Sequence, residues 1–63
     1  MEIIGDYTTG EGNIGVVEWD PTTKFVYIHP ENGDRRKIGS ADSRVNAFSL
    51  AIVLAQRELD KRV

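Results

Sequence analysis

Apolar residues recur at steps of three and four over the last third of the chain, a spacing that places side chains along one side of a helix. We therefore expect a single helix over residues 40–63. Its start is indicated by Ser40, a capping residue type that follows Gly39, and by Asp42, a carboxylate suited to the positive end of the helix dipole. One apolar stripe consists of Val45, Phe48, Ile52, Ala55, Leu59 and Val63. A second apolar set falls on nearly the opposite side and consists of Ala47, Leu50, Ala51 and Leu54.

Short runs of β-branched and aromatic residues, separated by turn residues, precede this helix. We expect strands over 14–19, 24–29 and 35–38, and a further short strand within 1–7. The predicted fold is α+β: an antiparallel sheet of three or four strands packed on one long C-terminal helix, in the order β-β-β-α. The whole chain is then one small domain, made of an N-terminal strand and Gly-rich loop (1–13), a β-meander (14–39) and the helix (40–63).

The strand over 24–29 predicts two different sheet faces, because successive side chains alternate across a strand. Val26 and Ile28 point to one side of the sheet, where we expect the helix to pack. Phe25, Tyr27 and His29 then point away from it. They are joined on that face by one of two pairs from the next strand, since the register of the turn is open. The two alternatives are Arg35 with Lys37, and Arg36 with Ile38.

The chain has 63 residues, no cysteine and a net charge of −2. A domain of this size buries only about 60% of its unfolded surface, and it has no disulfide to compensate, which leaves unusually good packing or oligomerisation as routes to stability. The second apolar side of the helix favours oligomerisation. The charge is unevenly distributed: seven acids and one base precede Arg35, whereas seven bases and three acids follow from Arg35 onward. The two halves can neutralise each other in the fold, or the second half can present a basic patch.

The sequence does not indicate a catalytic, metal or cofactor site. His29 is the single histidine, and no cluster of carboxylates or nucleophile accompanies it in the sequence. The stretch 10–15 spells G-x-G-x-x-G, but a strand follows it, whereas a dinucleotide loop must open a helix. We interpret it as a flexible loop, and we expect no small-molecule substrate.

A membrane or secreted location is also not indicated. The first residues lack a basic segment followed by a long apolar run. The longest apolar run, over 50–55, is far below the ~20 residues that a membrane-spanning helix needs. We therefore expect a cytoplasmic protein without membrane contact.

Part of the chain, over 15–60, carries a recognisable set of residues: Gly15-Val16, Trp19-Asp20, Lys24-Phe25, the run 33–39 and then Ala47, Ala51 and Leu59. This set resembles the DNA-binding domains of plant ethylene-response factors and integrase arms, in which one helix backs a three-stranded sheet. The resemblance implies a sheet that enters the major groove. The residues that would contact DNA are Trp19, Lys24, Tyr27, Arg35 and Lys37.

Two functional hypotheses follow. The first is a small non-catalytic regulatory protein, for example an inhibitor of phage or plasmid type, that binds another protein and forms a homodimer. The helix interface would consist of Ala47, Leu50, Ala51 and Leu54. The alternative is a DNA-binding module that uses the aromatic and basic face of the sheet. For a partner protein or for DNA, the binding face would consist of Trp19, Lys24, Phe25, Tyr27, His29, Arg35 and Lys37.

Overall fold

A computed structural model describes residues 1–31 and 33–57. Four strands and one helix follow each other along the chain: β1 (Glu2–Thr8), β2 (Ile14–Trp19), β3 (Phe25–Pro30), β4 (Arg36–Ser40) and α1 (Arg44–Arg57). The strands form one antiparallel sheet in the order β1-β2-β3-β4. The predicted α+β fold is confirmed, and the first strand joins the sheet as its edge.

Three tight connections hold the meander in register. After β1, the backbone N–H of Thr9 donates to Asn13 O (2.8 Å), and Gly12 adopts a φ of 92°. The predicted Gly-rich loop is therefore a β-hairpin loop. After β2, Lys24 N–H donates to Asp20 O (2.7 Å). The predicted turn around Gly33 follows β3, where Gly33 N–H donates to Pro30 O (3.3 Å).

The helix begins later than the sequence predicts. Ser40 pairs with Phe25 as the last residue of β4, and the N–H of Ala41 donates to Lys24 O (2.9 Å). The cap is Ser43, whose Oγ accepts a hydrogen bond from the N–H of Asn46 (3.2 Å). The prediction of a cap at Ser40 and of Asp42 in the first turn is wrong, because pairing with β3 extends the strand through this segment. The predicted helical segment 58–63 lies outside the described residues.

The core lies between the sheet and the helix. Its buried side chains are Tyr7, Val17, Trp19, Val26, Ile28, Ala47, Ala51 and Ala55. The helix contributes alanines to this core, and the sheet offers glycines opposite it. A Cβ built on Gly5 would lie 2.5 Å from Cε1 of Phe48, and one on Gly39 would lie 2.9 Å from Cδ2 of Leu50. Small residues on both layers therefore let the helix approach the strands closely.

This packing corrects the predicted helix interface. Ala47 and Ala51 are completely buried within the chain, and Leu50 packs against the same core. Leu54 is partly buried, whereas Val45 on the first stripe is 74% exposed. The side of the helix that carries Ala47 and Ala51 faces the sheet, and the large side chains of Phe48 and Leu50 occupy the space that Gly5 and Gly39 leave open. Ala47 and Ala51 are therefore not available to a second subunit.

Candidate functional site: the outer face of the sheet

The sheet has one face turned away from α1, which we call the outer face. Cross-strand pairing places one row of side chains across all four strands: Ile3 beside Glu18, Glu18 beside Tyr27, and Tyr27 beside Lys37. A second row joins Asp6, Val16 and His29. Thr8, Ile14, Phe25 and Arg35 complete the outer face.

The alternation predicted for β3 is confirmed. Val26 and Ile28 are 0% and 1% exposed in the core, whereas His29 is exposed and its neighbours Phe25 and Tyr27 are partly exposed on the outer face. An aromatic pair is thus presented at the centre of the face, with its rings accessible to a binding partner.

The register that the sequence left open is now defined. Tyr27 pairs with Lys37, so Lys37 and Arg35 accompany the aromatic residues on the outer face. A bulge opposite Val26 and Tyr27 shifts the ladder by one residue. As a result, Ile38 packs against the core on the helix side.

Two of the basic residues on this face are held by neighbours. Nζ of Lys37 lies 3.5 Å from the centroid of the Phe25 ring, in cation–π contact. Nε of Arg35 donates to Oε1 of Glu18 at 2.7 Å, although Glu18 is only 7% exposed. No buried side-chain nitrogen or oxygen in the described part of the chain lacks a hydrogen-bond partner. The Arg35 charge is therefore already compensated.

Trp19 and Lys24 do not lie on the outer face, which corrects their place in the predicted surface. Trp19 is 6% exposed and pairs with Val26 on the helix side, where its indole N–H donates to Ala41 O (3.0 Å). Lys24 stands in the turn with a φ of 69°, and its Nζ lies 5.5 Å from the centroid of the Trp19 ring. Trp19 lies two residues after Val17 in β2 and therefore points to the same side of the sheet, a pattern that could have placed it in the core.

The outer face also contains residues that the sequence analysis did not single out. Ile3 is 67% exposed and Ile14 is 47% exposed, beside partly buried Val16. Near His29 the surface forms a shallow depression of about 420 Å³, lined in part by Asp6 and Val16. Ile3 and Asp6 were missed because the sequence left open whether the first strand belongs to the sheet. Ile14 and Val16 lie in the strand predicted over 14–19, where alternation with Val17 was the signal that could have found them.

Charge changes sign across the outer face. The β1 side carries the exposed carboxylate of Asp6, and β2 carries Glu18. The β4 side carries the exposed bases Arg35 and Lys37. Val16 and Tyr27 lie on the central strands between the edge charges Asp6 and Lys37, and the Arg35 side chain reaches Glu18 across β3. The outer face therefore combines apolar side chains with negative charge on one side and positive charge on the other, whereas a surface that binds a polyanion is uniformly basic.

Other parts of the described chain offer little chemistry. No group of three or more His, Cys, Asp or Glu side chains in residues 1–31 and 33–57 could hold a metal ion. No helix in the same ranges is both long enough and apolar enough to cross a membrane. At the β1 edge, Arg44 Nε donates to Glu2 Oε1 (2.8 Å), and this hydrogen bond lowers the pKa of the Glu2 carboxyl and raises that of Arg44.

Comparisons with known proteins give no relative from which a role could be transferred. No protein-family model, curated protein or solved structure matches this chain. A functional argument therefore depends on the outer face itself.

Proposed function

We propose that this protein is a small non-catalytic binding protein that acts by protein–protein contact through the outer face of its sheet. The observation that supports this most is the exposure of Ile3 (67%) and Ile14 (47%) beside the half-buried Val16, Phe25 and Tyr27. Ile14 and Val16 are neighbours on the same side of β2, and exposed apolar side chains gathered on one face of a sheet are typical of an interaction site.

The polar groups of the face fit a protein partner. Interfaces between proteins favour aromatic residues and arginine near the centre and charged residues at the rim. Here Tyr27 and Glu18 lie on the central strands, and the side chain of Arg35, which precedes β4, reaches in to Glu18. Asp6 and Lys37 lie on the edge strands. A protein partner can cover the aromatic side chains of the outer face and place opposite charges against both its acidic and its basic residues.

A DNA-binding module is the second candidate, favoured by the exposed Lys37 and His29 beside Tyr27. Two observations favour the first candidate over it. The charge of Arg35 is neutralised by its ion pair with Glu18, and Asp6 adds a negative charge to the same face. The chain as a whole is also acidic, with a net charge of −2, so that it repels a polyanion at long range.

Site-specific photo-crosslinking tests the proposal. A benzophenone amino acid is placed at His29 on the outer face, and in a matched variant at Gln56, an exposed helix position. Both variants are irradiated in cells that express the full chain. We expect a protein adduct from position 29 and none from position 56. Adducts from position 56 alone, or none from either, would contradict the proposal.

Fluorescence anisotropy with a labelled mixed-sequence duplex tests the alternative. DNA binding through the sheet would give an affinity that falls steeply with salt and that weakens in Lys37→Ala. We expect no duplex binding at low salt. Salt-sensitive binding that depends on Lys37 would replace the first candidate with the second.

A further inference from the structure

We propose that the partner of the outer face is a second copy of this chain, packed sheet against sheet about a two-fold axis that runs along the strands. This inference rests on the proposed function, because it names the occupant of the same surface. It moves the predicted homodimer contact from the helix, where Ala47 and Ala51 are buried, to the outer face.

The choice of axis follows from how a two-fold operation exchanges the strands. In a two-fold dimer the same patch serves both subunits. An axis parallel to the strands lays β1 of one copy over β4 of the other and β2 over β3. An axis across the strands lays β1 over β1 and β4 over β4. The two arrangements use the same face but differ in which charges meet.

Charge complementarity selects the first arrangement. Asp6 on β1 is exposed, and so are Arg35 and Lys37 on the β4 side. With the axis along the strands, the β1 edge that carries Asp6 faces the β4 edge that carries Lys37 of the other copy, twice per dimer. The Arg35 charge is already neutralised by Glu18 and adds little to this attraction. With the axis across the strands, the two β1 edges, which carry Asp6, face each other, and so do the two β4 edges, which carry Lys37. Like charges placed together at an interface oppose association.

The centre of the face is complementary in the same arrangement. Because β2 of one copy covers β3 of the other, Glu18 lies opposite Tyr27 of the second copy. Glu18 and Tyr27 are cross-strand neighbours in one row of the sheet, so the two-fold operation brings the Tyr27 side chain of each copy over the Glu18–Arg35 ion pair of the other. Packed sheets lie about 10 Å apart, within reach of these side chains.

Sedimentation equilibrium of the purified full chain at low salt is the test. We expect the parent to be dimeric, and Asp6→Lys and Lys37→Glu each to weaken dimerisation by about tenfold, since each reverses two symmetric contacts. The combined variant and a 1:1 mixture of the two single variants should both recover the parental affinity. Asp42→Lys, the same charge change in the connection between β4 and α1, is the control and should leave the affinity unchanged.

The outcomes separate this inference from the proposed function. A dimer that neither single variant weakens would overturn the strand-parallel arrangement. A monomeric parent would overturn the second copy as partner, while a crosslink from position 29 to a different protein would keep the proposed function. Circular dichroism of each variant tests whether a loss of dimerisation is caused by a loss of folded structure. A crosslink between two copies of the purified variant that carries benzophenone at position 29 would support both proposals.

Discussion

Nε of Arg35 and Oε1 of Glu18 lie 2.7 Å apart although β3 stands between the segments that carry them. Glu18 belongs to β2, and Arg35 directly precedes β4. The arginine side chain therefore extends across the outer face to reach the carboxylate. The side chain of Glu18 is 9% exposed and that of Arg35 is 49% exposed. The pair ties the last strand to the second and removes the cost of an unpaired carboxylate on a largely apolar face.

Arg35→Ala should destabilise the fold by about 2 kcal/mol, because it leaves a poorly solvated carboxylate without its charged donor. The combined Arg35→Ala and Glu18→Gln variant should recover part of the loss, since the amide is less costly to leave unpaired. Urea denaturation of both variants measures the change in the free energy of unfolding. Equal stability of the parent and Arg35→Ala would mean that water already satisfies Glu18.

Gly5→Ala should destabilise the protein by about 1–3 kcal/mol, because its new methyl group would lie 2.5 Å from the Phe48 ring and force the helix away from β1. Phe48→Leu in the same chain should relieve part of this cost. Thermal unfolding compares the two. Gly33→Ala is the matched control, since its methyl group meets Pro30 at an ordinary 3.5 Å, and its effect should be small.

The sequence was informative where one pattern dominated. In β3, aliphatic and aromatic residues alternate strictly, and the predicted division between Val26 and Ile28 on one side and Tyr27 on the other is confirmed. The antiparallel meander followed by a helix is likewise confirmed. These features follow from side-chain alternation and turn chemistry, both of which are local.

The sequence was not informative where two local patterns competed. Both sides of the helix are apolar, so periodicity could not tell that Ala51 faces the sheet while Val45 is exposed. The orientation also depends on Gly5 and Gly39, which are distant in sequence and leave space for the side chains of Phe48 and Leu50. The pairing of Arg35 with Glu18 depended on strand register, which no short stretch encodes.

The observed start of the helix gives a direct test. Ser43→Ala should lower the free energy of unfolding by about 1 kcal/mol, because the Oγ that accepts from the N–H of Asn46 is lost. Ser40→Ala is the control at the position where the sequence indicated the cap. It should change stability by less than about 0.5 kcal/mol, since Ser40 is an exposed strand residue. A larger loss at Ser40 than at Ser43 would contradict the observed cap.

The last prediction concerns acid stability and the turn after β2. The Oδ1 of Asp20 accepts a hydrogen bond from Thr22 N–H at 2.9 Å, and this bond, with further ones from Thr23, lowers the pKa of the Asp20 carboxyl below its ordinary 3.8. A carboxyl whose pKa is lower in the folded state than in the unfolded state stabilises the fold above its unfolded pKa. It loses that contribution as the pH falls through its folded pKa.

Asp20→Asn keeps an acceptor oxygen for the turn but removes the titrating group. We therefore expect the stability of this variant to fall less than that of the parent between about pH 5 and pH 2. Asp20→Ala removes the acceptor as well and should be less stable than the parent at neutral pH, which separates loss of the hydrogen bond from loss of titration. Urea midpoints at several pH values measure both effects. If Asp20→Asn has the same acid dependence as the parent, this turn does not contribute to acid unfolding. The ion pair between Glu2 and Arg44 would then be altered next, because Arg44 also lowers the pKa of the Glu2 carboxyl.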